Sequence, residues 1–164
     1  MDSVLAIRPA AVADVSTIFS LIQQLAVYEK LEHMVVGNPD LLQAALFGDQ
    51  RACECVVAWE AGKAIGFALF FTTFSTFLCQ PGLYLEDVFV IPEARGKGHG
   101  KALLAHLAGI ARQRNCGRFE WRVLDWNAPS IKFYESLGAE VMKEWLLVRM
   151  TAPQIAELAD TRVS

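Results

Sequence analysis

Apolar positions recur at helical spacing in three stretches of the chain. Residues 15–25 form the first, and Asp14 just before them is expected to cap a helix that ends near Glu29. The second starts at residues 38–40, where a capping asparagine precedes a proline and an acid. Its buried face is expected to hold Leu41, Leu42, Ala45 and Leu46. The third covers residues 103–110, with leucines on one face.

Between these helices lie runs with the composition of β-strands. They cover residues 5–7, 53–59, 64–73, 83–90, 118–124 and 144–150. The turn sequence at residues 60–63 predicts a hairpin, and residues 65–71 are apolar without alternation, as in a strand covered on both faces. Two short helices are expected, over residues 128–137 before Gly138 and from Thr151. The order predicts an α/β chain of the α+β type, a mixed sheet with helices on both faces.

Composition and charge narrow the class of protein. The chain has 164 residues, 54% of them apolar, which suits one domain, residues 1–164, with a core over about residues 5–150. Every apolar run is broken long before the ~20 residues that a bilayer requires, and the first residues lack the order of a secretory signal. We therefore expect a cytoplasmic protein with no membrane partner. A net charge of −3 and a pI of 5.6 argue against nucleic acid as a partner.

Cysteines and histidines do not predict a metal site. The four cysteines are Cys53, Cys55, Cys79 and Cys116. None forms a C-x-x-C pair, and no histidine stands at ligand spacing from them. We expect all four cysteines to be structural and no metal to be bound.

A glycine-rich turn follows the strand at residues 83–90 and leads directly into the third long helix. We call residues 95–101 the glycine turn; its sequence is Arg95-Gly96-Lys97-Gly98-His99-Gly100-Lys101. A strand, such a turn and a helix place bare backbone N–H groups at a helix N-terminus, a geometry that binds phosphate. Arg95, Lys97 and Lys101 add positive charge for a polyanionic cofactor.

The spacing of the glycines distinguishes this turn from the known phosphate-binding loops. A P-loop ending at Lys101 needs a glycine where Arg95 stands and a hydroxyl where Ala102 stands. A dinucleotide fingerprint needs its third glycine at position 101, and it belongs near the start of a βαβ unit, whereas three strands precede the one that leads into this turn. A glycine-rich connection without a ligand remains the simple alternative.

The remaining pattern is Arg/Gln-x-x-Gly-x-Gly/Ala, and here the chain resembles the GNAT superfamily of acyl-CoA-dependent N-acetyltransferases. Within it, several segments resemble the diamine acetyltransferases, the spermidine/spermine type and its thialysine-acetylating relatives. They are residues 7–10, 25–29, 83–90, 126–130 and 133–139. The resemblance covers about residues 7–150. It implies a GNAT fold with six to seven strands, acetyl-CoA as co-substrate, and a turn that wraps the pyrophosphate of coenzyme A.

Amine acetylation has three requirements. The substrate ammonium, whose pKa is roughly 10.4, must lose a proton before it attacks. The oxyanion that forms from the thioester oxygen must be stabilised, and the departing thiolate needs a proton. The resemblance assigns Glu86 to amine binding and deprotonation, and Tyr134 to protonation of the leaving thiolate. Asp87 should face the other side of the strand if the pleat is regular. A backbone N–H near Val88 is expected to meet the oxyanion, because relatives splay this strand.

The resemblance also implies the binding residues. Acetyl-CoA is expected to contact the backbone of Val88, Phe89 and Val90, the glycine turn, and Asn127 and Ser130. The amine is expected to contact Tyr28, Glu29 and Glu86, which form an acidic, aromatic-lined end suited to a cation.

One departure affects the choice of substrate. Relatives carry an acid between the third and fourth strands, and residues 72–77 hold none, so shorter amines stay as open as long polyamines. The sequence thus predicts direct acetyl transfer to a small primary amine by a homodimer. A CoA-binding sensor without turnover and a protein-lysine acetyltransferase are the alternatives.

Overall fold

A five-stranded mixed sheet organises the first of two compact units in the computed structural model, which describes residues 4–161. The first unit runs to Arg122 and the second begins at Val123. The strands are β1 (Ala6–Pro9), β2 (Glu54–Glu60), β3 (Lys63–Ser75), β4 (Gln80–Val90) and β5 (Arg118–Trp121). They lie in sequence order across the sheet. All neighbours are antiparallel except β4 and β5, which run parallel because a helix connects them.

Helices occupy the predicted positions. The first unit contains α1 (Val15–Glu29), α2 (Pro39–Phe47) and α3 (His99–Gln113), and the second contains α4 (Ala128–Ser136) and α5 (Ala152–Ala159). None of the helices in residues 4–161 combines the length and apolar character needed to cross a membrane.

The core of the first unit forms around β3. Every residue from 65 to 70 is buried, so both faces of this strand are covered, as the absence of alternation predicts. Helices α1 and α3 both contact β3 and β4, and they contribute Ile18 and Leu107, which are fully buried. The apolar run at residues 65–70 is therefore part of the core.

The prediction of a strand at residues 144–150 is wrong, and so is the expected count of six to seven strands. These residues pair with no strand in the described part of the chain, and apolar side chains such as Trp145 and Leu146 are largely exposed. A strand needs a neighbour to take its backbone hydrogen bonds, and composition alone does not supply one. Strand β5 is also shorter than predicted, because it ends at Trp121.

The helix starts are mostly as expected. The side chain of Asn38 accepts a hydrogen bond from the N–H of Leu41 at 2.9 Å, and Pro39 opens α2. Leu41 itself is 62% exposed, contrary to prediction, whereas Leu46 is buried. Asp14 stands just before α1, but its carboxylate does not cap that helix.

Candidate active site

The glycine turn offers an open stretch of backbone at the start of α3. Gly96 and Gly98 have φ angles of 79° and 83°, which residues with a side chain rarely adopt. No atom lies within 4 Å of the position that a Cβ would occupy at either glycine. Gly98 is the N-cap of α3, whose 15 residues give its first N–H groups a partial positive charge. The turn therefore has the room and the donors that a phosphate group needs.

Two basic residues of the turn meet a carboxylate from the hairpin between β2 and β3. The Nζ of Lys97 lies 3.3 Å from Glu60 Oε2, and the Nε2 of His99 lies 3.5 Å from Glu60 Oε1. His99 is buried, while Lys97 is more than half exposed. Sequence analysis missed Glu60, because nothing local in the hairpin indicates a contact with residues 37 positions away.

Arg95 is held against the protein. Its Nε donates a hydrogen bond to the carbonyl of Val90 at 2.9 Å. Its guanidinium carbon lies 4.6 Å from the centre of the Tyr28 ring and 5.5 Å from that of Phe89. The first residue of the glycine turn therefore contacts the last turn of α1, a contact that the sequence does not indicate.

A β-bulge interrupts β4 at Glu86. Leu85 pairs with Phe70 and Asp87 pairs with Leu69, so Glu86 is an extra residue without a partner on β3. The regular pleat on which the prediction for Asp87 depended is therefore absent. Glu86 is exposed and Asp87 is half-buried.

Three carboxyl groups lie close to this bulge, and we call Glu29, Glu86 and Asp87 the acidic group. Burial, reinforced by the negative charges of Glu86 and Glu29, raises the pKa of Asp87 to about 6. Burial also raises the pKa of Glu29. The structure thus brings Glu29 near the bulge of β4 and places Asp87 beside it. One sequence signal pointed to Asp87, namely its position next to Glu86 in the strand before the glycine turn.

Strand β4 loses its neighbour on one edge just before the bulge. Pairing with β5 ends at Leu85 and Trp121, while β4 continues to Val90. Val88, Phe89 and Val90 pair with β3 on the other edge. On the β5 side these three residues have no strand partner within residues 4–161. This edge leaves main-chain groups that another extended molecule could contact.

The second unit contains the other predicted site residues on or beside α4. Asn127 is buried, and its Oδ1 accepts a hydrogen bond from the N–H of Ser130 at 3.3 Å, so it caps the helix. Ser130 and Tyr134 are four residues apart and share a face of α4. Tyr134 is half-buried, and its ring centre lies 5.5 Å from that of Phe133.

Residues 22–139 match the acetyltransferase (GNAT) family. This stretch includes the glycine turn, the bulged strand and α4. The chain belongs to the GNAT acetyltransferase family. The enzyme is an N-acetyltransferase, and acetyl-CoA is the co-substrate of its family.

Similar proteins extend over nearly the whole enzyme. It is 33% identical to a thialysine N-epsilon-acetyltransferase of Mus musculus, over 93% of this chain and 96% of that protein. It is 34% identical to an L-ornithine N5-acetyltransferase of Arabidopsis thaliana, over 88% and 83%. A solved integron cassette protein from the mobile metagenome of V. cholerae is 27% identical, with a TM-score of 0.79 over 96% and 98% of the two chains.

Proposed function

We propose that the enzyme transfers the acetyl group of acetyl-CoA directly to a primary amine of a small molecule, of the lysine-analogue, ornithine or diamine type. The acidic group carries this proposal, because three carboxyls beside the open edge of β4 favour a cationic substrate there. The named activities of the mouse and Arabidopsis relatives support the same class of amine.

Acetyl-CoA is proposed to bind along β4 and at the glycine turn. The open glycines and the first N–H groups of α3 suit its pyrophosphate, and Lys97 and Lys101 supply positive charge. The unpaired edge of Val88, Phe89 and Val90 suits the amide groups of the pantetheine arm. In the second unit, Asn127 and Ser130 are proposed to contact that arm.

Proton transfers are proposed to run through two residues. Glu86, exposed at the bulge, accepts a proton from the ammonium, directly or through water, so that the free amine attacks the thioester carbonyl. A backbone N–H near Val88 stabilises the oxyanion. Tyr134 donates a proton to the departing thiolate, and no covalent enzyme intermediate is required.

Substrate length is proposed to be short. Residues 72–77 carry no acid, and this stretch instead exposes Phe74 near the end of β3 and Phe77 in the turn that follows. A long polycation would lack an anionic anchor for its far end at this turn.

We also propose that residues 1–164 form one catalytic domain, because the family match spans both compact units. A homodimer is proposed because Phe74, Phe77 and Trp145 expose large apolar surfaces that a second copy would cover. Light scattering coupled to size exclusion measures the mass, and a monomer at 50 μM, roughly a typical assay concentration, would exclude the dimer.

Thiol release from acetyl-CoA tests the activity against lysine, a thialysine-type analogue, ornithine, short diamines, spermine and a lysine peptide. We expect turnover with the short amines, and Glu86→Gln is expected to lower kcat/KM by about 10²–10⁴. Glu93→Gln is the matched control, because Glu93 is an exposed acid outside the acidic group. Preference for spermine or for the peptide would contradict the short-amine substrate. Acetyl-CoA binding without turnover on any amine would favour a sensor.

A further inference from the structure

Arg95 is held in place by contacts with β4, with α1 and with Pro92 in the connection after β4. Its side-chain Nε donates to the carbonyl of Val90 at 2.9 Å, and its backbone N–H donates to the carbonyl of Pro92 at 3.2 Å. Its guanidinium group lies over Tyr28 at 4.6 Å and near Phe89 at 5.5 Å. Distances of this size allow cation–π attraction, for which an aromatic ring within about 6 Å is required.

The position of Arg95 gives this contact a consequence for the glycine turn. The two glycines that follow, Gly96 and Gly98, have left-handed φ angles and no atoms near their Cβ positions. Glycine loses more conformational freedom on ordering than any other residue. A fixed Arg95 therefore restricts one end of a segment whose own packing does little to hold it.

Tyr28 is well placed to hold the guanidinium group of Arg95. It lies in the last turn of α1, which ends where Lys30 adopts a left-handed conformation with φ of 61° and bonds back to the carbonyls of Ala26 and Val27. That cap fixes the helix end from which the ring projects. Tyr28 is 38% exposed, and Arg95 covers part of its ring.

We propose that Tyr28 is a positioning residue for the acetyl-CoA turn, acting through the guanidinium of Arg95. This inference rests on the proposed binding of acetyl-CoA by residues 95–101. It gives Tyr28 a role that differs from the amine contact predicted from the sequence. Because the turn is ordered before the co-substrate arrives, binding of acetyl-CoA loses less conformational entropy and is therefore tighter.

The expected change in the Kd for acetyl-CoA follows from the exposed position of the contact between Arg95 and the Tyr28 ring. Cation–π contacts at exposed sites correspond to roughly a twofold to fivefold change in an equilibrium constant. Tyr28→Leu removes the ring and is expected to raise the Kd for acetyl-CoA about twofold to fivefold. Tyr28→Phe keeps the ring and is expected to keep the Kd within about twofold of the wild-type value.

A double-mutant cycle tests whether Tyr28 acts through Arg95. Calorimetric titration of the full-length chain with acetyl-CoA is carried out for wild type, Tyr28→Leu, Arg95→Met and the double variant. If the contact between them carries the effect, Tyr28→Leu raises Kd in the wild type and adds less than twofold in the Arg95→Met background. Val27→Ala is the control for general damage to α1, since Val27 is an exposed neighbour.

Several outcomes would overturn the inference. An equal effect of Tyr28→Leu with and without Arg95 would show that Tyr28 acts by another route. Unchanged or tighter binding in Tyr28→Leu would mean that Arg95 must leave the ring to meet the phosphates. A rise in the KM of the amine alone, with the Kd of acetyl-CoA unchanged, would return Tyr28 to the amine site. Failure of the folded wild-type protein to bind acetyl-CoA would instead contradict the proposed function.

Discussion

Burial and neighbouring negative charge oppose the ionisation of Asp87 beside the β4 bulge. Burial of its carboxyl contributes most, and the charges of Glu86 and Glu29 add to it. A protein that places acids together in this way loses stability near neutral pH. A bound cation would offset that loss, which is the physical reason to connect the acidic group with amine binding.

Asp87→Asn is predicted to stabilise the fold at pH 7.5 and to weaken amine binding. The pKa of Asp87 is about 6 in the folded protein, against an ordinary value of 3.8. The folded state therefore favours the protonated form. That advantage is complete below about pH 4 and is lost as pH rises through 6. Removing the charge should raise the free energy of unfolding by about 1–3 kcal/mol at pH 7.5, and by less as pH falls.

Urea unfolding at pH 7.5 and 4.5, together with the KM of the amine across this range, measures both effects. The wild-type KM should rise as Asp87 gains its proton below pH 6, and the variant should show no such step. A variant less stable than wild type at pH 7.5 would show that the carboxylate is compensated in the fold.

Tyr134→Phe is predicted to lower kcat by about 10²–10⁴, because the thiolate then departs without its proton donor. Binding of acetyl-CoA should persist, since the ring remains. Steady-state kinetics give kcat, and the rise in Tm with acetyl-CoA reports binding. An unchanged kcat would remove Tyr134 from the proposed mechanism.

At the scale of elements, short polar links connect successive parts of the fold. Asp14 accepts hydrogen bonds from Arg8 Nη1 at 2.8 Å and Nη2 at 3.1 Å, and from the N–H of Ala11 at 2.8 Å. The carboxylate thus ties β1 to the segment that enters α1. The hydrogen bonds from Arg8 are the main reason that the pKa of Asp14 lies below its ordinary value.

Asp14→Ala is predicted to lower the free energy of unfolding by about 1–3 kcal/mol at pH 7, because it leaves Arg8 and a backbone N–H without their acceptor. The pKa of Asp14 is depressed in the folded state. Its contribution is therefore present above the unfolded pKa of about 4 and is lost as pH falls through the lower folded value. Urea unfolding at pH 7 and pH 3 checks this, and an equal loss at both would exclude the charge as the cause.

The glycine turn depends on backbone angles that only glycine adopts at low cost. Gly98→Ala is predicted to add about 1–2 kcal/mol of strain at a φ of 83° and to raise the KM for acetyl-CoA. Gly109→Ala is the matched control, because Gly109 lies inside α3 with open space around its Cβ position. It should raise Tm slightly and leave the KM for acetyl-CoA unchanged. Equal KM values in the two variants would contradict the role of the turn.

Considered as a whole molecule, a net charge of −3 conceals two regions of opposite sign. Lys97 and Lys101 lie at the start of α3, while Glu29, Glu86 and Asp87 lie at the bulge. Both proposed substrates are charged, one an anion and the other a cation. Each would be attracted to its own region at low ionic strength.

Raising the salt concentration from about 0.02 to 0.3 M is predicted to raise the KM of both substrates, because the Debye length then falls below about 10 Å. The value of kcat should change less, since it reports the bound complex. Initial rates at four salt concentrations measure this. A salt effect confined to acetyl-CoA would mean that the acidic group does not attract the amine.

The sequence by itself determined the helices, the hairpin and the glycine turn. These depend on local signals, such as the capping Asn38, the spacing of apolar positions before Glu29, and glycines that allow left-handed backbone. The resemblance then placed the chain in its family, which the comparisons confirm.

Only the tertiary structure decided which residues meet. The bulge at Glu86 arises from pairing with β3, the raised pKa of Asp87 from burial, and the contact of Arg95 with Tyr28 from packing between elements 67 positions apart. Residues 144–150 have the composition of a strand and no strand partner within residues 4–161. Burial and pairing depend on distant residues, and a local pattern carries no information about them.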